Sequence, residues 1–393
     1  MTQALLGAAA GQAFFSQQLG RRAALYGAAA GLLPDLDIIV TELMGTVATW
    51  QHHRGVTHAL WFPLVAAPLM AWAARAFEGR KAKRSSLADV SPPAAPPPFA
   101  ALAGVFCVAL LSHPLLDWFT SYGTQLLAPF SSHRFALDAI AIIDPLYTVP
   151  LAAAVIIGAK APWRRTRWVA SLALVGTTGY LFYTWHLNVR AEHFAVEQLE
   201  MSGLSSSSQR VEAYPTLLQP HLRRVVVQDH NQYLVGYLSL WTEGPIVWQS
   251  HRRLQGDRLD RVAATHPGRV LAWMAQGMAL GREVPLAEGS MVELIDLRYG
   301  MPGTDGPGFW GVRARFDGTG RMVTEVRPFQ RRPSSLREGL AVIFQRAYRS
   351  APAPHQAALT RSSRQSGGPA KVDKPRAGNS LPSPGLARAT RIM

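Results

Sequence analysis

The chain has 393 residues, enough for two or three domains, which excludes a single small module. Charged residues make up only 17% of it and apolar residues 48%, with the apolar residues concentrated in the first 190 positions. This distribution is typical of a membrane protein. The one cysteine, Cys107, excludes Cys-rich metal sites, so a metal would need His and carboxylate ligands. The net charge of +15 lies partly in residues 351–393, where seven Lys and Arg accompany one Asp.

Apolar segments in the first half of the chain predict several membrane helices. Residues 1–40 predict a helical hairpin that turns at Arg21 and Arg22, with no basic segment before it to indicate a cleaved signal peptide. Residues 55–74, 99–120 and 168–189 are each long enough to cross a bilayer at about 20 residues per span. Residues 140–159 form a fourth span if Asp144 lies at its end. The Pro/Ala run at 91–98 predicts a stiff, extended connector.

Lys and Arg residues predict the orientation of these spans. Five basic residues follow the span at 55–74 and four follow the span at 140–159, which places both loops in the cytoplasm. We expect these loops to contact anionic lipid, not nucleic acid. The loops at 41–54 and 121–137 hold only Arg54 and Arg134 and are therefore predicted to lie outside. Everything after residue 189 is then predicted to lie outside too.

The composition after Arg190 is that of ordinary soluble protein. We predict a helix to about Glu200, a Ser-rich turn at 205–208 and strands at 224–229, 232–240, 291–297, 309–316 and 322–326. From residue 350, Pro, Ser, Gly and Arg dominate and predict disorder. The predicted architecture is an α-helical integral membrane domain with four to six membrane helices (1–190), a smaller α+β extracytoplasmic domain (191–349) and a disordered basic tail (350–393).

Ionisable residues in or beside membrane spans are costly and indicate function. The topology places Asp35, Asp37, His53, His58, His113 and Asp117 at the same outer face. His113 and Asp117 are i and i+4, so one helix face presents both. Asp35 and Asp37 at a helix end could reach neighbouring ions, with His53 contributed by a loop and His58 by a first helical turn. Without thiolate, such a set predicts a divalent metal, with zinc favoured and manganese or iron as alternatives.

Other polar residues have simpler interpretations. Asp144 before Pro145 is predicted to cap a helix. His133 and Asp138 are predicted to be solvated loop residues, and His186 and His193 to be packing or surface residues. His52 is a weaker candidate ligand than His53, whose Arg54-Gly55 neighbours permit a tight turn. The chain has no HExxH helix, no GxSxG elbow and no Walker A loop.

Several short motifs in this order resemble the YdjM-type membrane-bound, metal-dependent hydrolase family of bacterial inner membranes. They are Thr2-Gln3-Ala4-Leu5-Leu6-Gly7, Leu33-Pro34-Asp35-Leu36-Asp37, His53-Arg54-Gly55-Val56-Thr57-His58, His113 with Asp117, Tyr122-Gly123 and Pro129-Phe130. The resemblance covers roughly residues 1–190. In addition, Asp296-Leu297-Arg298-Tyr299-Gly300 resembles a segment of the carboxy-terminal domain of longer members.

The resemblance implies a metal-dependent hydrolase of the bacterial inner (cytoplasmic) membrane. The family's distant kinship with zinc-dependent phospholipase C and P1-type nucleases implies zinc-assisted hydrolysis of a phosphoester. Gln3 stands where some relatives have His, which implies the loss of one ligand.

Two hypotheses of different classes follow. In the first, the six Asp and His residues bind one or more metals, and an activated water attacks a phosphoester or related ester at the periplasmic face. Arg54 and Asp117 are then the catalytic residues, with Arg54 stabilising the developing oxyanion, and the location favours a lipid or lipid-linked substrate. In the second, the cluster is a structural metal site or a polar helix-packing network, and the outer domain binds a partner. An ion transporter is disfavoured because the polar residues do not continue to the cytoplasmic side.

Overall fold

The computed structural model describes residues 1–89, 95–204, 209–302, 306–331 and 335–349. The predicted turn at 205–208, the first part of the connector at 91–98 and the predicted disordered tail lie outside these ranges. Residues 95–98, at the end of the connector, have no regular secondary structure.

Helices dominate the chain up to residue 201. They are α1 (Thr2–Leu19), α2 (Arg22–Leu32), α3 (Asp37–Met44), α4 (Thr46–His52), α5 (Phe62–Asp89), α6 (Phe99–Trp118), α7 (Pro145–Lys160) and α8 (Trp163–Met201). A 3₁₀ turn at Pro34–Leu36 precedes α3, and a second at Val56–His58 lies between α4 and α5. The turn between α1 and α2 confirms the predicted amino-terminal hairpin.

One of these helices, α6, is long and apolar enough to cross a membrane by itself. Two bent pairs qualify if each is one span, Arg22–Leu32 with Pro34–Met44 and Thr46–His58 with Phe62–Lys83. This gives one to three candidate spans in the described residues, against four to six predicted. The helix α7 has only 16 residues, and the predicted span in α8 contains Thr, Gly, Tyr and Trp residues that lower its hydropathy.

Four glycines bring α1 and α2 into backbone contact. Gly7 and Gly11 lie four residues apart on α1, and Gly27 and Gly31 lie four apart on α2. A Cβ atom added at Gly7 would overlap the carbonyl group of Gly27, and one added at Gly31 would overlap the carbonyl oxygen of Gln3. Small residues at this spacing let two helix backbones approach closely. The contact therefore fixes the position of Gln3 beside Gly31.

We expect the substitution Gly7→Ala to lower the melting temperature of the detergent-solubilised protein by several degrees. The added methyl group has no space against the Gly27 carbonyl, and overpacking of this kind costs about 1–3 kcal/mol. Gly176→Ala on α8 is the matched control, since nothing lies within 4 Å of a Cβ at that position. The control should be neutral or slightly stabilising. Equal melting temperatures for Gly7→Ala and wild type would contradict the close contact.

The described residues after α8 form a β-rich region of two antiparallel sheets. The first sheet has the order β1 (Arg210–Pro215), β2 (Leu222–Gln228), β3 (Gln232–Ser239), β4 (Gln249–Arg252). Two helices follow, α9 (Asp257–Ala263) and α10 (His266–Met274). The second sheet has the order β5 (Ala279–Pro285), β6 (Ser290–Asp296), β7 (Trp310–Phe316), β8 (Arg327–Gln330), and α11 (Leu336–Tyr348) comes last.

Four of the five predicted strands coincide with β2, β3, β6 and β7. The prediction of a strand at 322–326 is wrong, because only Met322 pairs, in a single bridge to Phe316. The next strand begins at Arg327.

Buried arginines connect the β-rich region to the segment between α6 and α7. Arg298 pairs with Asp296 at 2.8 Å and donates a 2.8 Å hydrogen bond to the carbonyl oxygen of Ser121. Arg223 donates to the carbonyl oxygens of Ala139 and Thr184, both at 2.8 Å. Hydrogen bonds from charged donors are about twice as strong as neutral ones. These bonds attach the segment to the β-rich region, and the bond from Arg223 to Thr184 also connects that region to α8.

Asp138 in this segment is not a solvated loop residue, as the sequence predicted. Its backbone has a φ of 52°, and its Oδ1 atom is buried without a hydrogen-bond partner in the described part of the chain. Burial raises the pKa of the carboxyl to about 7, although the nearby Ser121 hydroxyl and the Arg298 guanidinium act in the opposite direction. The folded protein therefore favours the neutral acid.

This raised pKa predicts a pH-dependent effect of Asp138→Asn on stability. Because the folded pKa lies above the ordinary value, the contribution of Asp138 is fully present below about pH 4 and is lost as the pH rises through about 7. At pH 8 the neutral amide, which tolerates positive φ, should raise the unfolding free energy by about 1–3 kcal/mol. At pH 5 the gain should be much smaller. Melting temperatures at the two pH values measure this difference.

Glu325→Gln provides the control for Asp138→Asn, since the Glu325 side chain is 84% exposed. It should give the same melting temperature as wild type at both pH values. A melting temperature of Asp138→Asn below that of wild type at pH 8 would contradict the neutral-acid assignment.

Candidate metal site

Four side chains from three separate segments meet at one point. Asp35 lies in the 3₁₀ turn after α2, His58 ends the second 3₁₀ turn, and His113 and Asp117 lie one turn apart on α6. One ligand atom from each of the four lies within 4.8 Å of the others. His113 Nε2 and Asp117 Oδ2 lie 3.5 Å apart, as their i, i+4 spacing predicted. His58 comes from the 3₁₀ turn, not from the first turn of α5.

The distances between the ligand atoms suit a small metal ion. The Oδ1 atom of Asp35 lies 3.2 Å from His113 Nε2 and 3.6 Å from His58 Nε2. The Oδ2 atom of Asp117 lies 3.4 Å from His58 Nε2 and 3.5 Å from His113 Nε2. A tetrahedron with metal–ligand bonds of about 2.0–2.1 Å has edges of roughly 3.3–3.4 Å. These four distances lie close to that value.

In both His58 and His113, the hydrogen bond made by the Nδ1 atom fixes the tautomer of the imidazole. The carbonyl oxygen of Gly31 accepts a 2.6 Å hydrogen bond from His113 Nδ1. The hydroxyl of Thr57 donates its one proton to Asp37 at 2.8 Å, so its 3.0 Å bond to His58 Nδ1 must be donated by the imidazole. Both rings therefore carry a proton on Nδ1. Histidine ligands of metals commonly donate in this way from the nitrogen that does not bind.

The ligand atoms that lie closest to one another have no such hydrogen bonds. In the described part of the chain, His58 Nε2, His113 Nε2 and Asp117 Oδ2 are buried and make no hydrogen bond. Buried polar atoms are nearly always hydrogen-bonded or bound to an ion. The residues present therefore fit a divalent cation at their centre.

Asp37 and His53, the other two predicted ligands, lie outside this group of four. Asp37 accepts from His53 Nδ1 at 2.7 Å, from Thr57 Oγ1 at 2.8 Å and from the backbone N–H of Arg54 at 3.3 Å. Its carboxylate thus holds together the loop that carries Arg54 and His58. Asp37 is connected to the candidate ligand His58 through the hydroxyl of Thr57.

Arg54 and Gln3 position Asp117. Arg54 Nε lies 3.3 Å from Asp117 Oδ2, and its Nη1 donates a 2.6 Å hydrogen bond to Thr120 Oγ1. Gln3 Nε2 donates to Asp117 Oδ1 at 2.9 Å. The amide of Gln3 therefore orients a candidate ligand at the position where the family resemblance implied a lost one.

Two further residues, Thr57 and Thr120, contact the cluster without having been predicted from the sequence. Their positions in the sequence could have indicated both, because Thr57 lies within the His53–His58 motif and Thr120 follows Asp117 by three residues.

A cavity of about 150 Å³ lies beside the cluster and is lined by Asp35, Asp117, Arg54, Gln3 and other polar residues. The Asp35 side chain is 39% exposed, whereas those of His58 and His113 are fully buried. The cluster is therefore accessible from the side on which Asp35 lies. We call this space the polar cavity.

The remaining residues singled out in the sequence lie outside the group of four, although Asp144 also lines the polar cavity. Asp144 caps α7, as predicted, and its Oδ1 accepts from the backbone N–H groups of Leu146 and Tyr147. The other histidines considered are exposed and outside the group of four: His52, His133, His186 and His193.

The first part of the chain matches a known protein family. Neither a curated protein nor a solved structure matches the chain significantly. Residues 1–189, which contain every residue of the group of four, match the family described as YdjM inner membrane protein. The similarity of these residues to the YdjM inner membrane protein family, together with the apolar helix α6, supports a membrane protein.

Proposed function

We propose that this protein is a membrane-bound, metal-dependent hydrolase that cleaves a phosphoester or a related ester at the outer face of the inner membrane. The observation that carries the proposal is the set of buried ligand atoms of His58, His113 and Asp117 that make no hydrogen bond, beside a polar cavity lined by Arg54. Such a combination offers a place for a cation and a place for a substrate.

The charges around the cluster support a cation over a purely polar network. Asp35, Asp37 and Asp117 bring three negative charges and Arg54 one positive charge, which leaves two negative charges when the histidines are neutral. One divalent cation balances them. Without a cation, two of the three imidazoles that contact these carboxylates would need a second proton. The ring centroids of His58 and His113 are only 4.7 Å apart, and two buried like charges at that distance would repel strongly.

The residues around the polar cavity have distinct roles in this proposal. A bound divalent cation polarises an ester oxygen and lowers the pKa of a water molecule. Asp35 and Asp117 hold the cation on the open side, and the Arg54 guanidinium, fixed by Asp117 and Thr120, stabilises negative charge that develops on the substrate. Asp37 and His53 keep the His58 loop in place. Zinc suits the two imidazoles and two carboxylates, and manganese and iron are the alternatives.

The location of the site favours a lipid or lipid-linked substrate. The proposed topology places the cluster at the outer membrane surface and the β-rich region in the periplasm or the cell exterior. An ester held at that surface reaches the polar cavity without crossing the bilayer.

A structural metal site is the second candidate, because four protein ligands without an exchangeable water are typical of structural zinc. Cobalt-substituted protein distinguishes the two, since its visible absorption responds to a change of ligands. We expect added phosphate or fluoride to shift the spectrum, because the polar cavity gives anions access to the cation. An unchanged spectrum at saturating anion would favour the closed structural site.

A direct test combines metal content with a hydrolysis screen. We expect freshly purified protein to contain near-stoichiometric divalent metal and to hydrolyse a member of a broad phosphoester and lipid panel. Asp117→Ala should remain folded and lose this activity, whereas a collapse of the fold would favour the structural role. Metal-replete wild type that hydrolyses nothing in the panel would refute the enzyme.

A further inference from the structure

A second cavity, of about 250 Å³, adjoins the polar cavity. Residues 140–142 line both, so this short segment is a wall shared between them. Beyond it, the second cavity is lined by residues 215–217 after β1, by Tyr299 and Trp310, and by Ile343 of α11. Aliphatic and aromatic side chains dominate this lining. We call the space the apolar cavity.

The apolar cavity is continuous with an exposed apolar surface. Ile142 and Ile143, which line it, are 56% and 58% exposed, and Leu146 at the start of α7 is 54% exposed. Exposed apolar patches of this kind mark contacts with a membrane or a ligand. A hydrocarbon chain could therefore pass from the bilayer into the cavity without crossing a polar surface.

Two polar groups in the wall of the apolar cavity lack partners. Tyr299 Oη and Trp310 Nε1 are buried without a hydrogen bond in the described part of the chain, and their rings pack with centroids 4.5 Å apart. A buried O–H or N–H without an acceptor is unfavourable.

We propose that the apolar cavity binds one hydrocarbon chain of an amphiphilic substrate whose phosphoester lies in the polar cavity. This inference rests on the proposed function and names the substrate class of the same site. The volume is slightly below the roughly 300–1,000 Å³ of sites for drug-sized ligands, so it accommodates part of a single chain. The β-rich region thus contributes to substrate selection through Tyr299, Trp310 and residues 215–217.

Two series of probes test the proposal on the metal-loaded, full-length protein in lipid nanodiscs. One series consists of 4-nitrophenyl phosphodiesters whose second ester group is an n-alkyl chain of 2, 4, 6 or 8 carbons. The other consists of n-alkyl phosphonates of the same lengths, which bind without being cleaved. Empty nanodiscs correct for partition of the probes into lipid.

We expect the affinity for the phosphonates, and the kcat/KM for the diesters, to rise by about fourfold per methylene, as burial of each methylene predicts. Leu217→Trp, which fills the apolar cavity, should abolish this dependence on chain length. Leu172→Trp adds the same side chain at an exposed position on α8 outside both cavities and should keep the dependence.

The two probe series separate this inference from the proposed function. Hydrolysis that is independent of chain length in wild type would overturn the chain-binding cavity and leave the hydrolase intact. Phosphonate binding that depends on chain length and on Leu217, without hydrolysis of any diester, would support the cavity and refute the hydrolase. Equal loss of the dependence in Leu217→Trp and Leu172→Trp would also overturn the assignment of the cavity.

Discussion

Replacement of His113 by Asn is expected to remove stoichiometric divalent metal from the purified protein. Asn can still donate a hydrogen bond to the Gly31 carbonyl, but it has no atom at the position of Nε2, which lies 3.2 Å from Asp35 and 3.5 Å from Asp117. Loss of a residue that hydrogen-bonds a metal ligand typically lowers the affinity for the metal by about 10–100-fold. Loss of a ligand itself should lower it further. Elemental analysis and competition with a chelator measure the change.

Two other histidines serve as graded comparisons for His113→Asn. His53→Asn removes a partner of Asp37 and should weaken metal binding by about 10–100-fold without abolishing it. His186→Asn, at an exposed position on α8, should bind as wild type does. Full metal content in His113→Asn would contradict the site, and equal losses in all three variants would indicate a general effect on folding.

Replacement of Arg54 by Lys is expected to lower kcat for a 4-nitrophenyl phosphodiester by about 10²–10³-fold while the metal content stays the same. Removal of one preorganised donor to a developing oxyanion has an effect of this size in other hydrolases. Lys keeps the positive charge beside Asp117 but lacks the forked guanidinium that contacts both Asp117 and Thr120. Steady-state kinetics at saturating substrate measure kcat apart from KM.

Arg134→Lys is the matched control for Arg54→Lys. Both arginines are buried and both lie over the ring of Tyr122, but Arg134 does not line the polar cavity. Its replacement should lower the melting temperature and leave kcat unchanged. A similar fall of kcat in both variants would assign Arg54 a structural role and contradict its function at the substrate.

The candidate ligands were predictable because each lies in a short motif whose spacing has a geometric meaning. An i, i+4 pair on a helix must share a face, so His113 and Asp117 could be paired from the sequence alone. Their association with Asp35 and His58 required the topology, and the Lys and Arg distribution supplied a basis for that prediction. The structure brings these four residues together.

The sequence could not predict which of the six Asp and His residues form the group of four and which two, Asp37 and His53, lie outside it. Asp35 and Asp37 are both carboxylates at a helix end, and only the orientation of the 3₁₀ turn directs Asp35 to the cluster and Asp37 to Thr57. Asp138 was misassigned because its burial depends on the β-rich region that packs over its segment. The described residues offer one to three candidate spans, and the predicted span at 140–159 is not among them because α7 begins only at Pro145 and has 16 residues.

The Gly31 carbonyl has a consequence for the acid–base state of the cluster. It accepts the Nδ1 proton of His113, a residue 82 positions away along the chain, and the same glycine is a point of contact between α1 and α2. The packing of α1 against α2 therefore also holds in place the acceptor that fixes the tautomer of a candidate ligand on α6.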